Sequence, residues 1–392
     1  MTDNQNKNNA TRLNSILSGI PAIICSWFLP FKRNRIIINS HLNIHFDFNS
    51  KYLFLYMLKE GYDIYFVIND DKYRNQLISE YGPHFLETKS FKGKIFALRA
   101  KLWFVSAFEM PVGGVGLKLR HRIIHLTHGS LIKNVGPLEK DVSLIKKIYY
   151  KLCVRTNITY SIATSAFFVP STAAYTGLPE NRIVITGFPR NDALYDLKDN
   201  KPDVLNNCGF SVLYAPTWRK NEQTKLFPFA EIDFLKLNSF LNKNNITIFV
   251  RLHPNDEKAI LPNMLQSNIK LFSSSEYEEI MDYLPFFDSL ITDYSSIAYD
   301  FLLLDRPMMF LPYDYEEYKN NVGFAVDYEQ ISPGEKPDNI KAFEDALLDM
   351  KEKDSFKLKR HEICNLCNEF TSGNCSRVVE FLKKKGILEA IK

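Results

Sequence analysis

Along this chain, runs of four or five consecutive apolar residues alternate with stretches in which apolar residues recur at helical spacing. Ile36 to Ser40, Ile64 to Ile68, Leu102 to Val105, Ile123 to Leu126, Ser161 to Thr164 and Ile183 to Thr186 read as buried strands, with a helix over 51–59 between the first two. A second series runs through Val212 to Ala215, Ile246 to Val250, Ile269 to Phe272, Leu290 to Thr292 and Met308 to Leu311. Strands that are apolar on both faces belong to parallel sheets covered on both sides, so each half reads as α/β. Between the halves, the stretch 195–209 loses its periodicity in Asp, Lys, Asn and Pro202, which marks a domain boundary. The pattern therefore predicts two doubly wound, Rossmann-like domains, 35–195 and 196–392, facing across a cleft. Ligands of such sheets sit beyond the carboxyl ends of the strands, and nearly every polar motif of the chain falls at such an end.

The lead, 1–34, is different. Residues 1–12, rich in Asn and Thr, read as disordered. Ile16 to Phe31 is apolar, interrupted by two prolines, and followed at once by Lys32, Arg33 and Arg35. A spanning helix needs about 20 apolar residues, and a signal peptide carries its positive charge before the apolar run, so neither fits. Two readings stay open: a helix packed on the first domain, or a segment in a membrane interface whose basic residues meet anionic lipid.

Composition narrows the partners. In 392 residues, 45% hydrophobic and 24% charged, there is material for more than one core. The balance of 49 basic against 45 acidic residues is too mild to indicate nucleic acid, but suits an anionic small substrate or an anionic membrane surface. Six scattered cysteines without a secretory cleavage pattern imply a reducing compartment and no structural disulfide. His361, Cys364, Cys367 and Cys375 offer four soft ligands on a helix and its turn, and read as reduced helix cysteines rather than zinc ligands. Asn69-Asp70-Asp71 reads as a turn.

The chemistry concentrates at strand ends. Ser289 to Asp293 is a strand and Ile297 to Leu304 carries helical spacing, so Tyr294, Ser295 and Ser296 fall where the first helical N–H groups lack partners. That is the place for a phosphate, although a plain serine cap reads the same way. Thr217 and Arg219 follow one strand of the same half, and Arg251 and His253 follow another, with alternation putting the last two on one side of the chain. In the first half, His128 closes a strand beside Gly129 and Ser130, with Lys133 behind, where an imidazole can take a proton from a hydroxyl near neutral pH. Arg190 and Asp192 end the first half in a Gly-Pro turn, either as an ion pair or reaching phosphate.

Taken in order, His128-Gly129-Ser130, Gly187 to Asp192, Tyr214 to Arg219, Arg251 to Pro254, Thr292 to Ser296, Asp305-Arg306-Pro307 and Phe310 to Asp314 resemble the CDP-glycerol glycerophosphotransferases of bacterial teichoic-acid and capsule synthesis, over roughly residues 35–385. The resemblance implies the GT-B arrangement, with the nucleotide donor held mainly by the C-terminal domain. It also implies a peripheral enzyme at the cytoplasmic face of the membrane, acting on a lipid-linked acceptor. By the same resemblance His128 is the general base, His253 a second catalytic histidine near the donor diphosphate, and Ser295 and Ser296 the donor-phosphate serines. Thr217, Arg219, Arg251, Asp293 and Arg190 are expected donor contacts, and Gly129, Ser130 and Lys133 acceptor-side residues. Two positions depart from the family's habit: Ser130 stands where Thr is usual, and Val322-Gly323 where an Arg-Gly pair is usual.

The expected reaction moves glycerol phosphate from CDP-glycerol to an acceptor hydroxyl and releases CMP, with no metal or other cofactor required. Its alternatives are a CDP-ribitol donor, a sugar-nucleotide glycosyltransferase of the same fold, and a non-catalytic membrane-associated binding module. Acceptor and oligomeric state are not written in the sequence.

Overall fold

The structure is a computed structural model that describes residues 2–196, 201–219, 223–230, 232–257, 260 and 262–389. Residues 197–200 of the expected boundary lie outside the described residues. The chain forms two compact units: the first comprises 1–130, 135–192 and 369–392, and the second comprises 131–134 and 193–368.

The first unit opens with helix α1 (Thr2–Ser26), where the sequence suggested a disordered lead. A glycine anchors it: a Cβ on Gly19 would run into the carbonyl of Gly113, so only glycine lets the helix lie this close. Ala22 and Ser26 are buried on the packed side, while Leu13, Leu17, Ile20 and Ile24 recur on an exposed stripe that continues into Trp27 and Phe28. The first reading of the lead, a helix packed on the first domain, describes the buried face of α1.

Seven parallel strands follow: β1 (Lys32–Asn39), β2 (Ile64–Val67), β3 (Phe85–Leu86), β4 (Ala100–Val105), β5 (Arg122–His125), β6 (Tyr160–Ala163) and β7 (Ile183–Ile185), in the order β3-β2-β1-β4-β5-β6-β7. Ile36 of β1 stands opposite Ile64 on one side and Leu102 on the other. The helices between them are α2 (Phe48–Lys59), α3 (Asp71–Tyr81), α4 (Phe91–Leu98), α5 (Leu144–Tyr149), which continues as a π-helical stretch to Arg155, and α6 (Val169–Thr176). The acidic pair after β2 proves to be a helix start, with Asp70 accepting the Tyr73 N–H. Only β3 escaped the sequence reading, because two residues carry no period.

The second unit holds β8 (Phe210–Tyr214), β9 (Ile246–Val250), β10 (Ile269–Leu271), β11 (Ser289–Thr292) and β12 (Met308–Phe310), parallel in the order β10-β9-β8-β11-β12. Its helices are α7 (Phe234–Lys243), α8 (Pro254–Glu257), α9 (Ile297–Phe301), α10 (Tyr315–Asn321), α11 (Ile340–Glu352) and α12 (Lys357–Cys367). Val212, Ile248, Ile291 and Met309 pack against Leu237 and Leu241 of α7 and against Phe343 and Leu347 of α11.

Two segments correct the expected division at 195/196. Leu131–Asn134 belongs to the second unit: Ala325 N–H donates to Ile132 O at 2.9 Å, Asn134 N–H to Gly323 O at 3.0 Å, and Lys133 bridges Phe324. The last helix, α13 (Asn374–Lys384), belongs to the first. Its Cys375, Val378, Val379 and Leu382 enter the core around Phe54, Ile162 and Phe188. Burial of that apolar face outweighs proximity in sequence, since each fully buried side chain contributes about 1.5–3 kcal/mol.

Candidate functional site

The residues singled out by sequence fall into two groups, one in each unit. In the first unit, β5 ends in a turn held in an unusual shape. Thr127 has φ +56°, a left-handed conformation costly for a β-branched residue, and the neighbouring loop holds Leu42, Asn43 and Phe48 at φ +53°, +61° and +53°. The turn is braced from beneath by Asn49, whose Nδ2 donates to Leu126 O at 2.8 Å and to Thr127 O at 3.1 Å. Asn49 Oδ1 accepts the Arg190 N–H at 3.1 Å, and Arg190 Nη1 donates to His128 O at 2.6 Å. The His128 side chain is carried at the surface, its ring 5.7 Å from that of Phe48, while Gly129 and Ser130 are buried beside it.

This geometry corrects two expectations. Arg190 is a buried brace of the His128 backbone rather than half of an exposed ion pair. Asp192 neither pairs with it nor faces a ligand: its two oxygens accept the Asn374 and Cys375 N–H groups at 2.8 Å each, capping α13. Gly187, at φ +72°, lies so close to Asn374 that any side chain there would displace it. The Gly187–Asp192 motif is the socket of the last helix.

Three residues before His128, at the end of β5, His125 is fully buried, with Nδ1 3.0 Å from Ser161 Oγ and its ring stacked on Phe108. Burial pushes its pKa down to about 3, with His128 adding to the effect, so it is neutral at physiological pH.

In the second unit the motifs meet where the strand order reverses, between β8 and β11, the position at which open α/β sheets bind ligands. Asp293 ties the two strand ends together, its Oδ1 accepting the Thr217 N–H at 2.7 Å and the Tyr294 N–H at 2.6 Å. Arg219 lies buried against it, 2.9 Å from Asp293 Oδ2, and forks onto Asp314 at 2.7 and 2.9 Å. Tyr294, Tyr313 and Tyr318 present ring faces to the guanidinium at 5.1, 5.3 and 5.0 Å. Burial disfavours the charge of Arg219, but the two carboxylates more than offset it.

Arg219 and Asp293 therefore knit the ends of β8 and β11 to Asp314, a structural engagement that no local pattern in the sequence announces. Arg251 is engaged as well: its guanidinium donates to Tyr277 O at 2.7 Å and Glu278 O at 3.0 Å, bracing the loop after β10. Glu257 holds the same loop through Ser274 N–H at 2.6 Å and Ser273 Oγ at 2.9 Å.

What remains open at this sheet edge is mostly uncharged. Thr217 Oγ1 is buried and has no hydrogen-bond partner among the described residues. Ser295 and Ser296 are half-buried at the start of α9, and the Ser296 hydroxyl makes no capping bond of its own. His253 is exposed after β9, its ring 5.6 Å from that of Trp218; burial lowers its pKa, against the pull of Asp256 and Glu257. Lys133, expected on the acceptor side, lies in this unit instead. Burial pushes its amine down to about 8, with Asp293 opposing and Arg219 assisting the fall. Hydroxyls, helix-start N–H groups, one imidazole and one lysine make a set suited to a phosphate-bearing ligand.

Sequence reasoning missed Asn49, and named Asp314 only as the end of the Phe310–Asp314 motif without a role. An asparagine inside the first turn of a predicted helix is the signal that could have flagged Asn49, because asparagine is a poor helix-interior residue unless its amide has work elsewhere. Near the C-terminus, His361 Nε2 sits 2.7 Å from Asp305 Oδ2, the carboxylate that also receives Arg360. No group of three or more metal-binding side chains occurs among the described residues.

The profile of the CDP-glycerol:poly(glycerophosphate) glycerophosphotransferase family matches residues 22–384. The teichoic acid ribitol-phosphate polymerase TarL of Staphylococcus aureus (strain NCTC 8325 / PS 47) is 26% identical over 337 residues, covering 81% of this chain and 57% of that protein. The teichoic acid glycerol-phosphate transferase of the same strain is 25% identical over 349 residues, 82% of this chain and 85% of that one. The chain spans about half the length of TarL and TarK, the ribitol-phosphate polymerases it matches (57% and 50%). In three dimensions it superposes on the wall teichoic acid polymerase TagF with a TM-score of 0.73 at 18% identity, covering 99% of this chain and 98% of that one. The fold is that of TagF, two Rossmann-like units of the GT-B type.

Proposed function

Because the chain belongs to the CDP-glycerol:poly(glycerophosphate) glycerophosphotransferase family, we propose that it transfers glycerol phosphate from CDP-glycerol to a hydroxyl of a lipid-linked acceptor in cell-wall or capsule polymer synthesis. The acceptor oxygen forms a bond to the β-phosphorus as the bond from that phosphorus to the bridging oxygen breaks. CMP leaves, and His128 takes the acceptor proton. The observation that carries this reading is the switch point between β8 and β11, where Thr217 Oγ1 lies buried with no hydrogen-bond partner among the described residues and Ser295 and Ser296 stand at the start of α9. A diphosphate seated there completes the hydrogen bonding of a group that is otherwise costly to bury.

With Arg219 and Arg251 engaged in the scaffold, charge on the leaving phosphate falls to the helix-start N–H groups, the two serines, Lys133 and His253. Fixed donors of this kind stabilise developing charge without reorganising. The reading needs no metal.

CDP-ribitol is the second reading, favoured by the resemblance to TarL and TarK, both ribitol-phosphate polymerases. Incubation with CDP-glycerol, CDP-ribitol and sugar nucleotides, followed by CMP release and mass spectrometry of a defined acceptor, separates the readings. An acceptor gaining glycerol phosphate supports the first, one gaining ribitol phosphate the second, and one gaining a sugar overturns both. We place the enzyme at the cytoplasmic face of the membrane as a peripheral protein. Among the described residues no helix is long and apolar enough to cross a membrane, and the exposed stripe of α1 suits the interface. The basic cluster behind it is smaller than expected: Lys32 and Arg33 are exposed, but Arg35 packs over the Phe96 ring at 3.7 Å and approaches Asp63 at 3.7 Å.

A further inference from the structure

The first unit carries a second polar cavity, at the opposite edge of the sheet from His128. Arg122 and Tyr160 begin β5 and β6, and Arg182 immediately precedes β7. With Lys118 and Lys385 they line a cavity of about 800 Å³, and among the described residues no carboxylate lines it. Arg182 lies over the Tyr160 ring at 5.0 Å, which holds its guanidinium toward the others. Four cations facing one cavity repel one another, and burial together with Arg182 and Arg122 lowers the pKa of Lys118. Such an arrangement is relieved by an anion.

The rim is apolar. Leu119 is 76% exposed and Val115 54% exposed beside the basic groups, and Leu152 lines the same cavity. From Leu152 an exposed apolar ridge runs back through Ile148 and Ile145, the latter 81% exposed, at three- and four-residue spacing. A soluble polyanion has no use for such a rim, whereas a bilayer offers phosphate in the plane of its head groups with hydrocarbon directly beneath.

We propose that this cavity binds the phosphate head group of an anionic phospholipid while Leu119, Val115 and the Ile145–Leu152 ridge enter the interface. The proposal extends the peripheral-membrane reading above from α1 to a head-group site, and is independent of which donor the enzyme uses.

Sedimentation of the full chain with vesicles tests it, using phosphatidylcholine alone and phosphatidylcholine mixed with phosphatidylglycerol. Each basic group near an anionic surface contributes about 1 kcal/mol, so Lys118→Gln, Arg122→Gln and Arg182→Gln combined should weaken partitioning to the mixed vesicles about a hundredfold. CMP release with a short soluble acceptor should stay unchanged, which separates loss of the lipid site from failure of the catalytic reading. The exposed single variant Lys385→Glu should weaken partitioning by at least several-fold, and keeps the test informative if the triple variant does not fold. Wild-type sedimentation by folded variants overturns the proposal. If a soluble glycerol phosphate oligomer binds the wild type, fails to bind the triple variant, and vesicle binding is unchanged, the cavity holds polymer instead of lipid and the proposal is overturned.

Discussion

The turn that presents His128 and the strand ends that present Ser295 are built by opposite means. In the first unit the backbone is strained and its braces are hidden: Thr127 and Phe48 hold positive φ, and Asn49 and Arg190 grip the turn through main-chain atoms. Each such conformation costs of the order of 1–3 kcal/mol, and is kept because the surroundings over-determine it. In the second unit no residue of 214–219, 251–253 or 292–297 has a positive φ, and order comes from charge: Arg219 locked between Asp293 and Asp314. The contrast teaches that charged motif residues here are mostly scaffold, while the chemistry is left to an imidazole and to hydroxyls.

The sharpest test of that contrast is His128→Ala. It should lower turnover about 10²–10⁴-fold, the usual loss for a general base, while calorimetry shows CDP-glycerol affinity nearly unchanged. Near wild-type turnover would remove His128 from the reaction.

Arg219→Met should act quite differently. It strands Asp293 and Asp314 without their counter-charge, and breaking a buried pair typically costs roughly 3–5 kcal/mol. Thermal or urea unfolding followed by a probe in the second unit should register the loss. A variant of full stability that merely binds donor weakly would make Arg219 a ligand after all.

Acid should separate the units. The unfolded chain protonates its histidines near 6.5, whereas the folded chain holds His121 neutral to about 4 and His125 to about 3, both by burial in the first unit. As pH falls below 6.5 the unfolded state takes up more protons, so stability is present above that value and drains away toward the folded pKa values. By pH 5 the loss is roughly 2 kcal/mol per histidine. Hydrogen exchange at pH 7 and pH 5 should show the first unit losing protection ahead of the second; the reverse order would contradict the assignment.

The smallest effect belongs to Ser295→Ala combined with Ser296→Ala. Donor affinity should fall about ten- to a hundredfold, in keeping with hydrogen bonds to charged groups, with no shift in melting temperature. A stability loss with intact affinity would make these serines scaffold as well, and erase the contrast.

Much of the architecture could be read from the residues because continuous apolar runs such as Ile246–Val250 leave little choice but a buried parallel strand. The positions of the motifs at strand ends followed from that. What could not be read was which side chains already had partners. Arg251 and His253 alternate onto one side of the extended chain, yet Arg251 turns to carbonyls of a loop more than twenty residues away in sequence, and no local pattern announces such a partner. Lys133 and α13 were misplaced for the same reason, since Gly323 and Phe188 are distant in sequence. Arg35 looked like one of three equal surface cations until Phe96 and Asp63 were seen beside it.

The socket formed by Gly187 and Asp192 has a consequence for how the molecule is made. The first unit's core includes Val378, Val379 and Leu382, so during synthesis its sheet is complete long before its last layer leaves the ribosome. The second unit, read out in between, can close on its own while the surface around Ile162 and Phe188 waits uncovered. Exposed apolar surface of that kind is what chaperones bind and what aggregates at high concentration. Expression yield, rather than catalysis, is therefore where a change at Asp192 or Gly187 should be felt first.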